Sequence, residues 1–130
     1  IHTMHRCALA AFAALVVVST SAQAQVQRKF PREALRGDLV IGVAPLAEMN
    51  GQPARLAPGS RIFGLNNTFE LPGTLAGKKV RVHYTVDAQG QLRDIWILRP
   101  DELAKVPWPA TREQAAQWQF DPIGQRWAKP

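Results

Sequence analysis

Residues 79–99 carry the pattern that most restricts what this chain can fold into. Val80, Val82, Tyr84 and Val86 alternate with Arg81, His83 and Thr85, the period-two signature of a strand with one buried face. Asp87-Ala88-Gln89-Gly90 fits a type I turn with Asp at its first position and a left-handed Gly forming a bulge. Residues 92–98 then return as a second, largely apolar strand. With the bulge at Gly90, Val86 faces Leu92, Tyr84 faces Asp94, Val82 faces Trp96 and Val80 faces Leu98, which gathers apolar side chains on one face. A four-residue loop without the bulge opposes Val82 to Ile95 and Val80 to Ile97 instead. Residues 95–98 are apolar on both faces and admit either register.

The flanking segments read as short elements. Phe30-Pro31-Arg32-Glu33-Ala34-Leu35-Arg36-Gly37 has the marks of a short helix, with Pro in the first turn, an early Glu and a closing Gly. Residues 38–44 form a brief apolar run suited to a buried strand. Asn50-Gly51 is the strongest tight-hairpin signal in the chain, because both central residues of a type I′ turn need positive φ. Pro53 predicts that the following strand is short or at an edge. Residues 57–60, Ala-Pro-Gly-Ser, read as a turn, and Asn66-Asn67 as a weaker hairpin between residues 61–65 and 68–71. A helical turn is expected at residues 101–105. Residues 106–109 must be extended, since the residue before a proline avoids the α region. Thr111 and Gln114 match a capping box for a helix ending before Pro122. The final residues, 120–130, suit one more short strand. No linker divides the chain, so residues 25–130 are expected to form one α+β domain. Its expected core is a small, mainly antiparallel sheet built from hairpins, with one or two short helices.

The first 24 residues have a different character. Met4-His5-Arg6, an apolar stretch over residues 7–18 and Ala22-Gln23-Ala24 follow the order of a secretory signal peptide cleaved after Ala24. The natural start is expected at Met4, with Ile1-His2-Thr3 artefactual. The apolar stretch is shorter than the roughly 20 residues of a membrane span, so a periplasmic or secreted product that does not span the membrane is expected. Cys7 is the one cysteine, at the head of the apolar stretch and not after it, where a lipid anchor would have it. Residues 25–130 therefore carry no disulfide and no thiolate metal site, and stability must come from an apolar core. The chain has net charge +6, of which Arg6 supplies one and residues 1–24 no acid, leaving +5. These charges are scattered as singlets and pairs such as Arg28-Lys29 and Lys78-Lys79, which argues against a nucleic-acid partner.

Few residues are equipped for chemistry. Beyond residue 24 the chain has one histidine, His83, and one serine, Ser60. Zinc-type clusters, phosphate-binding glycine loops and the Gly-x-Ser-x-Gly elbow are missing from the sequence, and no cofactor is expected. Ser60, His83 and one of Asp38, Asp87 or Asp94 could be written as a triad, but only geometry defines one. Asp101-Glu102 reads as dipole complementation at a helix start. Four tryptophans fall in the last 35 residues. Trp96 and Trp118 read as core bulk, whereas Trp108, between two prolines, and Trp127, near the end, are candidate interaction residues together with Arg81, His83 and Arg93.

Two resemblances add to this reading. Residues 30–37, residues 80–98 and Ala115-Ala116-Gln117-Trp118-Gln119-Phe120-Asp121-Pro122 resemble the opening, central hairpin and closing helix of TonB C-terminal-type domains. Residues 38–77 have no counterpart there, and Arg99-Pro100-Asp101-Glu102 replaces the Ser-Ser-Gly turn usual in that family. Residues 55–67 (RLAPGSRIFGLNN) look like a group of small secreted proteobacterial proteins of unassigned function. The first resemblance implies an α+β sheet domain that binds a partner by strand addition. The expected function is thus a monomeric, non-enzymatic module binding a protein or envelope component. The alternatives are a small hydrolase using His83 with Ser60 or a carboxylate, and an anionic-polymer binder.

Overall fold

The computed structural model describes residues 26–130, so the expected signal peptide, with Met4 and Cys7, lies outside the described residues. Five strands close a barrel: β1 (Leu35–Ile41), β2 (Leu46–Met49), β3 (Gln52–Phe63), β4 (Lys79–Val86) and β5 (Leu92–Ile97). They are ordered β1-β2-β3-β5-β4, with β4 returning to β1. All neighbours are antiparallel except β3 and β5, which run parallel. This strand order is that of the OB-type Greek-key barrel.

The expected α+β hairpin sheet is therefore corrected. Among the described residues, sheet accounts for 43% and helix for only 13%. Two local features close the sheet on itself. Gly59 sits at φ +77° inside β3, where the register against β5 shifts between Leu56 and Arg61. The expected Ala-Pro-Gly-Ser turn is thus a bulge that bends one long strand, letting its first half pair with β2 and its second with β5. Pro53 falls in the half that pairs only with β2, which is how a 12-residue strand tolerates it.

The second feature is β1. Residues 30–37 are not a helix: Ala34 N–H donates to Pro31 O in a single turn, and Leu35, Arg36 and Gly37 pair with Tyr84, His83 and Val82. Gly37 is placed by close packing rather than as a helix stop: a Cβ there would meet the Met49 Sδ at 2.7 Å and the Asn50 side chain at 2.9 Å, so those side chains would have to shift. Leu39, Ile41, Val82 and Ile95, all essentially unexposed, fill the barrel with Leu56, Ile62 and Leu92. A 3₁₀ turn, Pro72–Leu75, sets Leu75 against the same cluster.

The β4–β5 hairpin keeps its expected turn, with Gly90 at φ +79° and its N–H donating to Asp87 O. Val86 faces Leu92 as expected, but the register then shifts, so that Tyr84 faces Ile95, His83 faces Trp96 and Val82 faces Ile97. Neither expected register survives past the turn. The reason is that the middle of this hairpin is covered on both faces, with Val82, His83 and Tyr84 all buried, so alternation of apolar and polar residues does not select one.

The outer face is covered by the C-terminal third. Helix α1 (Pro100–Leu103), helix α2 (Arg112–Gln117) and the hairpin β6 (Gln119–Asp121)–β7 (Arg126–Ala128) surround a second cluster of Phe30, Ala34, Leu98, Trp108 and Trp127. Thr111 caps α2 as expected, its Oγ1 accepting from Gln114 N–H at 3.2 Å, while Gln114 Oε1 accepts from Ala110 N–H.

Candidate functional site

The residues singled out in the sequence fall in three places. Trp108 and Trp127 are buried, 7% and 5% exposed, in the second cluster. Trp108 Nε1–H donates to Ala34 O at 3.0 Å, and Trp127 Nε1 has no partner among the described residues. Arg81 and Arg93 are exposed, Arg81 lying 3.4 Å from Asp38.

His83 is 1% exposed. Its ring stacks on Trp108 at 4.0 Å and meets Phe30 edge-on at 4.4 Å. Arg36 Nε–H donates to His83 Nε2 at 3.2 Å. Burial, then the charges of Arg36 and Arg28, lower its pKa to about 2, so it is neutral in the fold. Ser60 lines a different hollow with Pro45, Arg55 and Gln91. The structure does not bring the two together, and His83 has no carboxylate partner among the described residues.

Around His83 lies a buried charge network that the sequence did not signal. Arg28 Nε–H donates to Glu102 Oε2 at 2.8 Å, Arg28 Nη2 pairs with Glu102 Oε1, and Arg28 Nη1–H donates to Gly64 O at 2.9 Å. Arg99 N–H donates to Glu102 Oε1, and Arg99 Nε–H to Asp101 Oδ1. Arg36 Nη2–H donates to Glu102 O at 2.9 Å. Each guanidinium is matched by carboxylate or carbonyl oxygen, as a buried cation requires. This network fastens the N-terminal arm and α1 to the barrel wall.

The open surface beside it is of another kind. OB-type barrels present ligands to the β2–β3 face and its neighbouring loops. Here β2, the part of β3 that pairs with it, and the β1–β2 and β4–β5 loops contain no aromatic residue. The aromatic rings gather instead at the far end of β3. Phe63 and Trp96, partners across β3 and β5, stack at 5.7 Å with planes 10° apart. Arg61 lies over Phe63 at 5.6 Å. Phe69, bridged to Phe63 by an antiparallel pair and 5.2 Å from its ring, is 71% exposed. Leu65 and Leu71 are exposed on the same loop.

A groove of about 570 Å³ opens here, with Phe63 and Trp96 on its floor and Lys29, Asn66 and Asn67 among the polar residues lining it. The loop that carries the two asparagines is fixed by Gly64 N–H donating to Thr68 O and Asn67 N–H donating to Gly64 O. Phe30 meets Trp96 edge-on at 5.5 Å and Trp108 at 6.0 Å, so the floor continues inward as one aromatic chain. Sequence reading placed Asn66-Asn67 in a turn but gave no sign that Phe69 is exposed and Phe63 half-covered.

Comparison of the chain with protein-family models, with curated proteins and with solved structures finds no match. Among the described residues no helix is long and apolar enough to cross a membrane, and no group of three His, Cys, Asp or Glu side chains is placed to hold a metal ion.

Proposed function

We propose that this protein is a non-catalytic binding module of the cell envelope, exported after cleavage at Ala24, and that it works through the groove beside Phe69. The observation that carries this reading is Phe69, a large aromatic left exposed next to Phe63 of the groove floor, its ring 5.2 Å away, with Leu65 and Leu71 nearby. Apolar side chains clustered on a surface mark interaction sites, whereas scattered ones do not. The hydrolase alternative loses support because His83 is enclosed, neutral and already bonded to Arg36, with neither Ser60 nor a carboxylate beside it among the described residues. Cleavage at Ala24 is compatible with the fold: Val26 O accepts from Arg99 Nη2–H at 3.2 Å, so the arm keeps its anchor.

A photo-crosslinking residue at position 69 tests the proposal against one at position 43, where Val43 is 84% exposed and lines a different hollow with Leu46 and Pro53. Crosslinks to envelope material are expected from position 69 and not from position 43. Equal yields from both positions overturn the reading. Protein recovered from the periplasm should begin at Gln25, and retention of the full chain in the cytoplasm overturns the export part.

A further inference from the structure

The polar groups of the groove narrow the class of occupant. Lys29, Asn66 and Asn67 are exposed, and among the described residues none of their side chains forms a hydrogen bond or ion pair. Beside them lie the half-covered rings of Phe63 and Trp96, and exposed Phe69 borders the groove 5.2 Å from Phe63. We infer that the groove takes a glycan strand bearing carboxylates, an inference that rests on the groove being the working surface proposed above.

The chemistry fits in three parts. A pyranose ring presents a face of C–H bonds that packs on a flat aromatic ring, and its hydroxyls both donate and accept. A carboxamide offers two donors and a two-lone-pair acceptor, which suits such hydroxyls. Lys29 supplies one cation for a carboxylate. The volume lies within the roughly 300–1,000 Å³ of clefts that hold small ligands.

Charge and backbone pairing disfavour the other polymers. Arg28 and Arg99 also line the groove, but Glu102 and Asp101 neutralise them, leaving Lys29 as the cation open to a ligand. A nucleic-acid strand carries a phosphate at every nucleotide and binds along a row of unpaired cations. A peptide adding as a strand needs an open sheet edge, and at Phe63 and Trp96 the floor strands are paired with each other.

The test titrates the protein lacking residues 1–24 with an oligogalacturonate, a neutral chito-oligosaccharide of equal length, an oligothymidylate and a polyglutamate peptide, read by calorimetry and tryptophan fluorescence. Saturable binding of the oligogalacturonate is expected, about tenfold tighter than that of the neutral saccharide. Phe69→Ala and Asn66→Ala should each weaken it about tenfold, and Lys29→Ala should abolish the preference for the charged saccharide. All three residues are exposed, and unchanged melting temperatures would show that the variants fold. Equal affinity for both saccharides overturns the carboxylate assignment, and no saturable binding of either overturns the glycan. Tighter binding of the oligothymidylate or the peptide, weakened by the same substitutions, overturns the glycan and leaves the groove as the working surface. Saccharide binding that ignores all three substitutions overturns the groove itself.

Discussion

Arg36 and His83 face each other across the β1–β4 pairing, and the Arg36 Nε–H donates to His83 Nε2 at 3.2 Å. An accepting Nε2 leaves the single ring proton of neutral imidazole on Nδ1. The folded pKa of about 2 lies below the ordinary 6.5. Between those values the unfolded chain binds a proton at His83 that the folded one does not. The contribution of His83 is therefore complete above pH 6.5 and is lost as pH falls, by about 1.4 kcal/mol for each pH unit. Urea melts should show stability lower by roughly 1.4 kcal/mol at about pH 5.5 than at neutral pH, and His83→Gln should flatten that slope. A wild-type profile already flat over this range contradicts the enclosed, neutral histidine.

Glu102 is a single buried carboxylate serving two buried arginines, Arg28 and Arg99. Replacing it should cost more than replacing either partner, because it leaves Arg28 buried without a carboxylate and Arg99 with Asp101 alone. Glu102→Gln is expected to cost about 3–5 kcal/mol, and Arg28→Met less, since Arg99 still holds the carboxylate. Urea denaturation gives the order directly. A larger loss for Arg28→Met contradicts the network as described.

Trp108 and Trp127 are equally buried but differ at the indole nitrogen, one bonded to Ala34 O and the other without an acceptor among the described residues. Trp108→Phe leaves the Ala34 carbonyl unpaired and should cost about 1–3 kcal/mol beyond the packing change. Trp127→Phe removes a buried donor that gains nothing in the fold, so its packing loss should be offset by about 1–3 kcal/mol. Thermal melts of both variants should rank Trp108→Phe as the more damaging, and the opposite ranking contradicts this placement.

What the sequence made legible was local. Asn50 and Gly51 adopt positive φ, Asp87 and Gly90 form the expected turn, and Thr111 caps its helix, because each depends on residues within a few positions. Barrel closure depends on contacts that local patterns do not encode. Residues 30–37 have helical chemistry, but Leu35 to Val40 are drawn into pairing with β4. The Pro58-Gly59 pair signals a break in either a turn or a bulged strand, and only the partners on both sides of β3 decide which. Trp108 was readable as extended from its flanking prolines, yet nothing there told that His83 and Phe30 cover it. The candidate groove was legible only in part. Phe63 and Phe69 are alike in sequence, and it is the pairing of Phe63 with Trp96 that covers one and leaves the other open.

Gly90 and Gly73 separate backbone demand from space. Nothing lies within 4 Å of a Cβ at either, but only Gly90 has positive φ. Gly90→Ala should cost roughly 1–2 kcal/mol, and Gly73→Ala should fall within about 0.5 kcal/mol of wild type. Equal effects in urea melts contradict the left-handed turn at Gly90.

The central claim is that ligands meet this protein at the groove beside Phe69, and chemical-shift mapping of the labelled protein with soluble envelope glycan fragments tests it most directly. The account predicts that the signals of Lys29, Asn66, Phe69 and the Trp96 indole move in a saturable way while those of Val43 and Leu46, exposed elsewhere, stay fixed. Shifts centred on Val43 and Leu46, or spread evenly over the exposed apolar residues, would contradict it.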